Sequence, residues 1–281
     1  MLGKRLINSN DAAAGGACTT NTNDYPTTNV AYYKMSTAAD EKDTYNGTAS
    51  NVNFNVQGKF GNAAEFNESS NGRIVLPKLP TLTSDVSVSG WFKLRNTAVT
   101  DRLRAFSLNA VSGYGGTFES LYRPSDGQWV IRVGNGTSSD TNVLTHTYQL
   151  TQSTWYHICF TRDDSTNITK FYINGLEQDS ETVSATATIQ SSAISVIGNQ
   201  TALVAATTWK GSIDQVRIFS SALDATQVAS LYNEVYCVPT IVPTDNFEPV
   251  IYSGNNTAKT VSVGFAPDLV WIKNRNNSTN S

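Results

Sequence analysis

From Val30 onward the chain is written in short apolar runs separated by small and polar residues. VAYYKM, KFGNAAEF, GRIVLP, SVSGWFKL, RAFSLN, QWVIRVG, WYHICFTR, TKFYING, AISVIG and IDQVRIF follow one another, punctuated by Gly, Asn, Asp, Ser and Pro. Short runs with such punctuation predict strands and turns, and many of them in succession predict an all-β sandwich or barrel. Asn174-Gly175 sits between two of the runs and predicts a hairpin, because a type I′ turn needs positive φ at both central residues. Asp163 to Asn167 predicts the longer turn of the neighbouring hairpin. One helix is written clearly. Asp224 stands at its N-cap with Gln227 three residues on, and Leu223 and Val228 occupy the staple positions. Val228, Leu231, Tyr232 and Val235 follow at i, i+3, i+4 and i+7, the stripe that docks on a core.

One run carries an acid. In IDQVRIF, strict alternation puts Asp214 on the same face as Val216 and Ile218. A carboxylate on a core face is costly and often functional. Here no partner acid stands two or four residues away, since Ser212, Val216 and Ile218 hold those positions. The expectation is a structural acid that accepts hydrogen bonds from nearby amides or hydroxyls, at a bulge that lets Ile213 face inward too.

Composition narrows the class. With 281 residues the chain is long enough for one large β domain, or for a domain plus a small extra module. Charged residues make up only 15%, so the polar share rests on Asn, Thr, Ser and Gly. The net charge is -3, with no block of one sign that predicts a nucleic-acid partner. No apolar run is long enough to cross a membrane as a helix, and no membrane insertion is expected. Residues 1–28 read as an extended N-terminal arm that orders against a partner. Its apolar stretch after Lys4 and Arg5 stops at Asn8, too early for a secretion signal. Residues 29–236 hold the sandwich. Residues 237–281 read as a Pro-spaced linker and the start of a small β module, with two strands around the Ala-Pro-Asp turn of KTVSVGFAPDLVWIKNR. The three cysteines, Cys18, Cys159 and Cys237, fit no zinc or redox spacing. Cys159 reads as a small core residue; whether Cys18 and Cys237 pair depends on whether the domain termini meet.

Three segments in order, AYYKM…ADEKDTYNGT…GKFGNAAEF, then WYHICFTRDDSTNITKFYINGLE, then WKGSIDQVRIFSSALDATQVASLYN, resemble the laminin-G-like and pentraxin-like group of concanavalin A-type jelly rolls across roughly residues 30 to 236. The resemblance implies two curved antiparallel sheets packed face to face, with one short helix beside the last strand. It also places an acid in that strand, where Asp214 stands. Its commonest activity implies glycan binding. The opening MLGKRLINSNDAAAGGACTT and the closing VGFAPDLVWIKNR resemble segments flanking such domains in tailed-bacteriophage virion proteins. That implies a virion location, a tail fibre or capsid appendage, other virion proteins as partners of the arm, and a homo-oligomer such as the trimers usual in phage fibres.

Glycan binding needs a ring to stack on the sugar and amides or acids to hold hydroxyls. Tyr114 in SGYGG, Asn199 and Gln200, and Trp209 at the head of the last strand are the ligand candidates. Trp91, Trp129 and Trp155 lie in strand runs and read as core. For calcium, the segment Gly198 to Thr201 matches the pentraxin-type acidic cluster but carries no acid. Asp40, Asp43 and Asn46 are the remaining weak calcium candidates, with a backbone turn as the simpler reading; no other cofactor is expected. No catalytic residues are assigned. The Glu-x-Asp-x-x-Glu run of jelly-roll glucanases does not occur, and Glu65 with Glu68 lacks a middle acid. His157 reads as a packed, hydrogen-bonded strand residue and His146 has no nucleophile pattern nearby. A bacterial carbohydrate-binding module or adhesin stays open as the alternative, and a glycan-cleaving enzyme ranks below both.

Overall fold

The computed structural model describes residues 26–79, 85–110, 118–134, 143–183, 194–200, 205–234 and 260. All but Thr260 belong to one compact unit, Thr22–Tyr236. Its strands are β1 (Ala31–Tyr33), β2 (Thr48–Ser50), β3 (Val52–Gln57), β4 (Asn62–Phe66), β5 (Arg73–Leu76), β6 (Val86–Leu94), β7 (Leu103–Ala110), β8 (Phe118–Arg123), β9 (Gln128–Val133), β10 (Val143–Thr147), β11 (Trp155–Asp163), β12 (Ile168–Ile173), β13 (Leu176–Thr182), β14 (Ile194–Ile197) and β15 (Gly211–Phe219). One α-helix, α1 (Ala225–Tyr232), follows the last strand. The strands form two antiparallel sheets. The first runs β13-β12-β11-β6-β15-β4-β3, with β1 also paired to β15, and the second runs β10-β9-β8-β7-β14-β5-β2. This is the expected jelly-roll sandwich with one short helix.

Alternation builds the core between the sheets. Val86, Val88, Phe92 and Leu94 of β6, Tyr156, Ile158 and Phe160 of β11, and Tyr122, Trp129 and Ile131 of the second sheet all join one buried cluster. Trp129 is its hub, with ring centroids of Tyr122 at 4.4 Å, Phe171 at 5.4 Å and Phe160 at 5.8 Å. The hairpin between β12 and β13 turns on Asn174 (φ 50°) and Gly175 (φ 78°), as the Asn-Gly pair predicts. In the turn before it, Asp163 Oδ1 accepts from the amides of Ser165 and Thr166.

The outer face of the first sheet is not bare. Cys159, Tyr172 and Phe219 form a second apolar cluster with Leu223, Val228 and Leu231, so α1 docks there. Asp224 accepts from Gln227 N at 2.8 Å and the Gln227 side chain accepts from Asp224 N at 3.0 Å, a complete capping box. Val228 and Leu231 are buried and Tyr232 is partly so, while Val235 lies outside the described residues. Losing the Asp224 side chain leaves the Gln227 amide without its acceptor, so Asp224→Ala is expected to lower the unfolding free energy by about 1 kcal/mol, seen as a lower urea midpoint at unchanged slope.

The last strand departs from simple alternation. Its register against β6 shifts between Asp214 and Arg217, and Gln215 adopts φ 52°. This bulge inserts one residue, so Ile213, Val216 and Ile218 all reach the inner cluster. Asp214 therefore does not share a face with Val216 and Ile218, as parity alone predicts; it points to the opposite face, toward the side of Arg217.

Candidate functional site

The edge of the first sheet carries a row of amides. In β3, VNFNVQ, the even positions are half-buried and Asn53, Asn55 and Gln57 are exposed. Asn51 precedes the strand in the left-handed region (φ 55°), where asparagine is tolerated. Asn67 follows β4 and caps a single 3-10 turn, accepting from Ser69 N at 3.0 Å. Arg95 leaves the end of β6 and reaches Glu65 of β4 at 3.0 Å. Together Asn51, Val52, Asn53, Glu65, Phe66, Asn67, Ser69 and Arg95 line a solvent-open groove of about 540 Å³, within the usual size range of ligand sites. Asn53 spends its oxygen on Asn55 N at 3.0 Å. The groove thus offers amide groups, one hydroxyl and a half-exposed Arg–Glu pair, a set suited to holding hydroxyls. The carboxylate of Glu65 faces a guanidinium, not a second acid, so the pairing that glycoside hydrolysis needs is not made by it.

A second cluster of chemically able groups is sealed. Across the first sheet Asp214 pairs in register with Trp91, and Trp91 with His157. Two strand spacings separate the acid from the imidazole by roughly 10 Å, beyond hydrogen-bond reach. The His157 ring, tucked beside Trp91 and Tyr232, shares a 2.8 Å hydrogen bond with Ser89 through Nε2. Burial, then the positive charge of Arg217, pushes the pKa of His157 down to about 3, so it stays neutral. Its Nδ1 has no hydrogen-bond partner, so no acid orients this serine–histidine pair for nucleophilic work. Asp214 accepts from Phe60 N at 2.9 Å and from Gln215 Nε2 at 3.1 Å. The loop through Gly58 closes over it; a Cβ on Gly58 would lie 2.6 Å from Asp214 Oδ2. Desolvation raises its pKa to about 7 against the lowering effect of those hydrogen bonds. The acid of the last strand is a structural staple, as its sequence neighbours suggest.

A laminin-G-type family model, described as the concanavalin A-like lectin/glucanases superfamily, matches residues 67–229. The chain belongs to that superfamily. A separate model, a domain of unknown function (DUF7483), matches residues 242–281. No curated protein sequence matches. Among solved structures, this superfamily member is similar to domain 4 of AbnA, a GH43 extracellular arabinanase from Geobacillus stearothermophilus, in complex with arabinotriose; identity is 22%, TM-score 0.55, over 73% of this chain and 98% of that one. It is also similar to the binding domain of Paraclostridial Mosquitocidal Protein 1 (19% identity, TM-score 0.56, 73% of this chain and 52% of that one). The receptor binding domain of botulinum neurotoxin C/D mosaic serotype stands at 18% identity and TM-score 0.55, over 73% and 51%. The chain thus spans nearly all of the arabinanase domain and about half of each toxin domain. At these identities the likeness is one of fold.

The superfamily fold corrects several candidate ligands. Trp209 is fully buried, packed on Phe92 at 5.4 Å and near Trp129 at 6.5 Å, with Nε1 toward Lys93 O, so its ring cannot stack on a sugar. Asn199 is also buried, and its amide is consumed by Thr208, Thr207 and Gln200 N; it braces the turn between β14 and β15. Gln200 is half-buried beside it and is not among the groove residues. Tyr114, Cys18 and Cys237 lie outside the described residues. Asp40 is buried, and its oxygens accept from the amides of Tyr32, Thr44 and Tyr45, while Asn46 bonds Asp40 N and Asp43. Those bonds make the backbone turn, and no group of three or more His, Cys, Asp or Glu suited to a metal occurs among the described residues. Trp129 is core as expected. Trp91 is buried under α1 instead of between the sheets, and Trp155 is half-buried with Lys93 over its ring at 4.7 Å. The groove residues Asn51, Asn53, Asn67 and Arg95 were not among the sequence candidates. The alternating asparagines of VNFNVQ were the available signal.

Proposed function

We propose that this domain binds neutral glycan through the Asn51–Asn53–Asn67–Arg95 groove and does not cleave it. The observation that carries the reading is the groove itself, where amides, a hydroxyl and an Arg–Glu pair converge on one edge of a lectin-type sandwich. It is supported by the arabinanase domain, which shares the fold over 98% of its length and whose structure contains arabinotriose. The same likeness favours a second reading, a bacterial carbohydrate-binding module or adhesin. Our preferred context is a bacteriophage particle, as tail fibre or capsid appendage. There residues 1–28 would anchor the protein to other virion proteins, a homotrimer would present the sandwich, and host surface glycan would be its target. The resemblance of the two flanking segments to virion proteins supports this choice.

Two measurements separate the readings. Mass spectrometry of purified particles is expected to find the protein, and its absence from them overturns the virion context. On an array of neutral glycans the Asn53→Ala, Arg95→Ala double variant is expected to lose about tenfold in affinity, the worth of one or two good hydrogen bonds. EDTA is expected to leave binding unchanged, because no calcium takes part in the proposed contacts. Undiminished binding by the double variant places the site elsewhere.

A further inference from the structure

Residues paired across antiparallel strands face the same side of a sheet, and one such row leads inward from the groove. Asn53 of β3 pairs with Glu65 of β4, Glu65 with Ser212 of β15, Ser212 with Lys93 of β6, and Lys93 with Trp155 of β11. The adjoining residues Phe66, Ile213, Phe92 and Tyr156 belong to the inner cluster, so the row lies on the outer face. The bulges of β15 and β3 fall after Asp214 and after Asn53, and they leave the row in step. Four strand spacings give it a span of roughly 19 Å. Asn53 and Glu65, at one end, also line the groove, and Arg95 reaches Glu65 from two residues beyond Lys93.

The far end of the row holds a ring that packing does not use fully. Of the four tryptophans among the described residues, Trp91, Trp129 and Trp209 are at most 3% exposed, whereas Trp155 is only half-buried. An indole contributes most to a fold when it is buried, and one left at the surface is characteristic of contact sites. Lys93 Nζ lies 4.7 Å from the ring centre of Trp155. On the other flank β12 ends at Ile173, opposite Ile158, so no residue of β12 pairs with Trp155. Between the two ends Lys93 and Glu65 are half-buried and Ser212 is short and buried, so the serine forms a floor between two taller side chains. One row away, Phe60 and Tyr232 of α1 pack on Trp91 and bound the row on that side.

We propose that this row extends the groove into a track for a linear neutral oligosaccharide, with Trp155 as the stacking platform at its far end. The inference rests on the groove reading and adds to it the shape of the ligand and a further binding residue. Asn53, the Arg95–Glu65 pair and Lys93 supply donors and acceptors to hydroxyls along the chain. The indole meets the apolar face of a sugar ring that lies beyond the reach of the groove. A single sugar can occupy only one end of the row, whereas its span of roughly 19 Å takes about four rings in line. The ligand is therefore an internal stretch of a polymer and not a lone terminal sugar.

The test is calorimetry of the full chain against ladders of linear arabino-, gluco- and manno-oligosaccharides from monomer to hexamer. A further ladder is cut from the neutral glycan held most strongly on the array, and a thymidylate hexamer serves as the polyanionic control. In the ladder that binds, affinity is expected to climb about tenfold between the disaccharide and the tetrasaccharide and then to level off. Trp155→Ala is expected to lower hexasaccharide affinity about tenfold, to near the value the native protein has for the disaccharide, and Trp155→Phe to recover most of the loss. A readout on the native protein needs no variant to fold. Oxidation of Trp155 by N-bromosuccinimide, mapped by mass spectrometry, is expected to be suppressed by saturating hexasaccharide and not by saturating disaccharide. Equal affinity at every length, an unprotected Trp155 under saturating hexasaccharide, or tighter binding of the thymidylate overturns the track and leaves the groove reading in place. No binding in any ladder or on the array overturns the groove reading and the track with it.

Discussion

Arg217→Ala is expected to lower the unfolding free energy by about 3–5 kcal/mol, the usual cost of stranding one partner of a buried ion pair. Arg217 donates to both oxygens of Glu234, at 2.7 and 2.8 Å, and the two side chains keep only 4% and 5% of their surface. Its guanidinium also lies 4.0 Å from the Tyr32 ring. Glu234 lies two residues past the end of α1, so the pair fastens the exit of the helix to the outer face of β15. With the arginine gone, the Glu234 carboxylate is left in an apolar setting beside the helix. The pair's net worth is much smaller than that penalty, because folding dehydrates both charges. Replacing both residues, as Arg217→Met with Glu234→Leu, is therefore expected to recover most of the loss. Urea unfolding of the two single variants and the double closes the cycle. Additive losses, with the double variant as unstable as the sum of the singles, exclude a coupled pair. A secondary readout follows from the same charge. The imidazole of His157 is held neutral first by burial and then by Arg217, so NMR of Arg217→Met should show its titration moved upward but still below the usual range.

The elements were legible because their signals are local. The Asn174-Gly175 turn, the Asp224–Gln227 box and the alternation of SVSGWFKL each need only a few neighbouring residues to state their conformation. The sites were less legible because they are made by pairing. Asn53, Asn67 and Arg95 are far apart in the chain and line one groove only once β3, β4 and β6 are assembled in the first sheet. Trp209 illustrates the converse error. It stands at the head of a strand, after a loop, where exposure is a fair guess, yet the sandwich draws it between Phe92 and Trp129 because a large ring contributes most when fully buried. The parity of Asp214 failed for a third reason. Period-2 reasoning holds only within an unbroken ladder, and the inserted Gln215 resets it. Two expectations about that strand, a bulge and an alternating face, were in conflict, and the bulge prevailed because it buries Ile213 with Val216 and Ile218.

Asp214 itself supplies the most discriminating experiment. Every contact it makes is with a donor: the amides of Phe60, Lys59 and Gln215 and the Gln215 side-chain amide. Even protonated, the carboxyl keeps acceptor lone pairs on both oxygens, whereas asparagine turns an NH₂ group that cannot accept toward these donors, so Asp214→Asn is expected to be destabilised by about 1–3 kcal/mol in mildly acidic solution. The size of that loss should depend on pH in a definite direction. Burial raises the folded pKa from 3.8 to about 7. Between those values the folded state holds a proton that the unfolded state has released, so the contribution of this group to stability falls as pH rises through the window. The rise spans about three pH units, of order 4 kcal/mol in all, of which roughly 2–3 kcal/mol falls between pH 5 and pH 8. Asparagine does not titrate and lacks this decline. The gap between the native protein and Asp214→Asn is therefore expected to be widest near pH 5 and to close by pH 8, while glycan affinity stays the same in both. Urea midpoints taken at half-unit intervals across that range provide the measurement. A gap that stays constant shows that the carboxylate keeps its charge in the fold, with its four donors outweighing desolvation. A loss of glycan binding at full stability returns Asp214 to the list of ligand contacts.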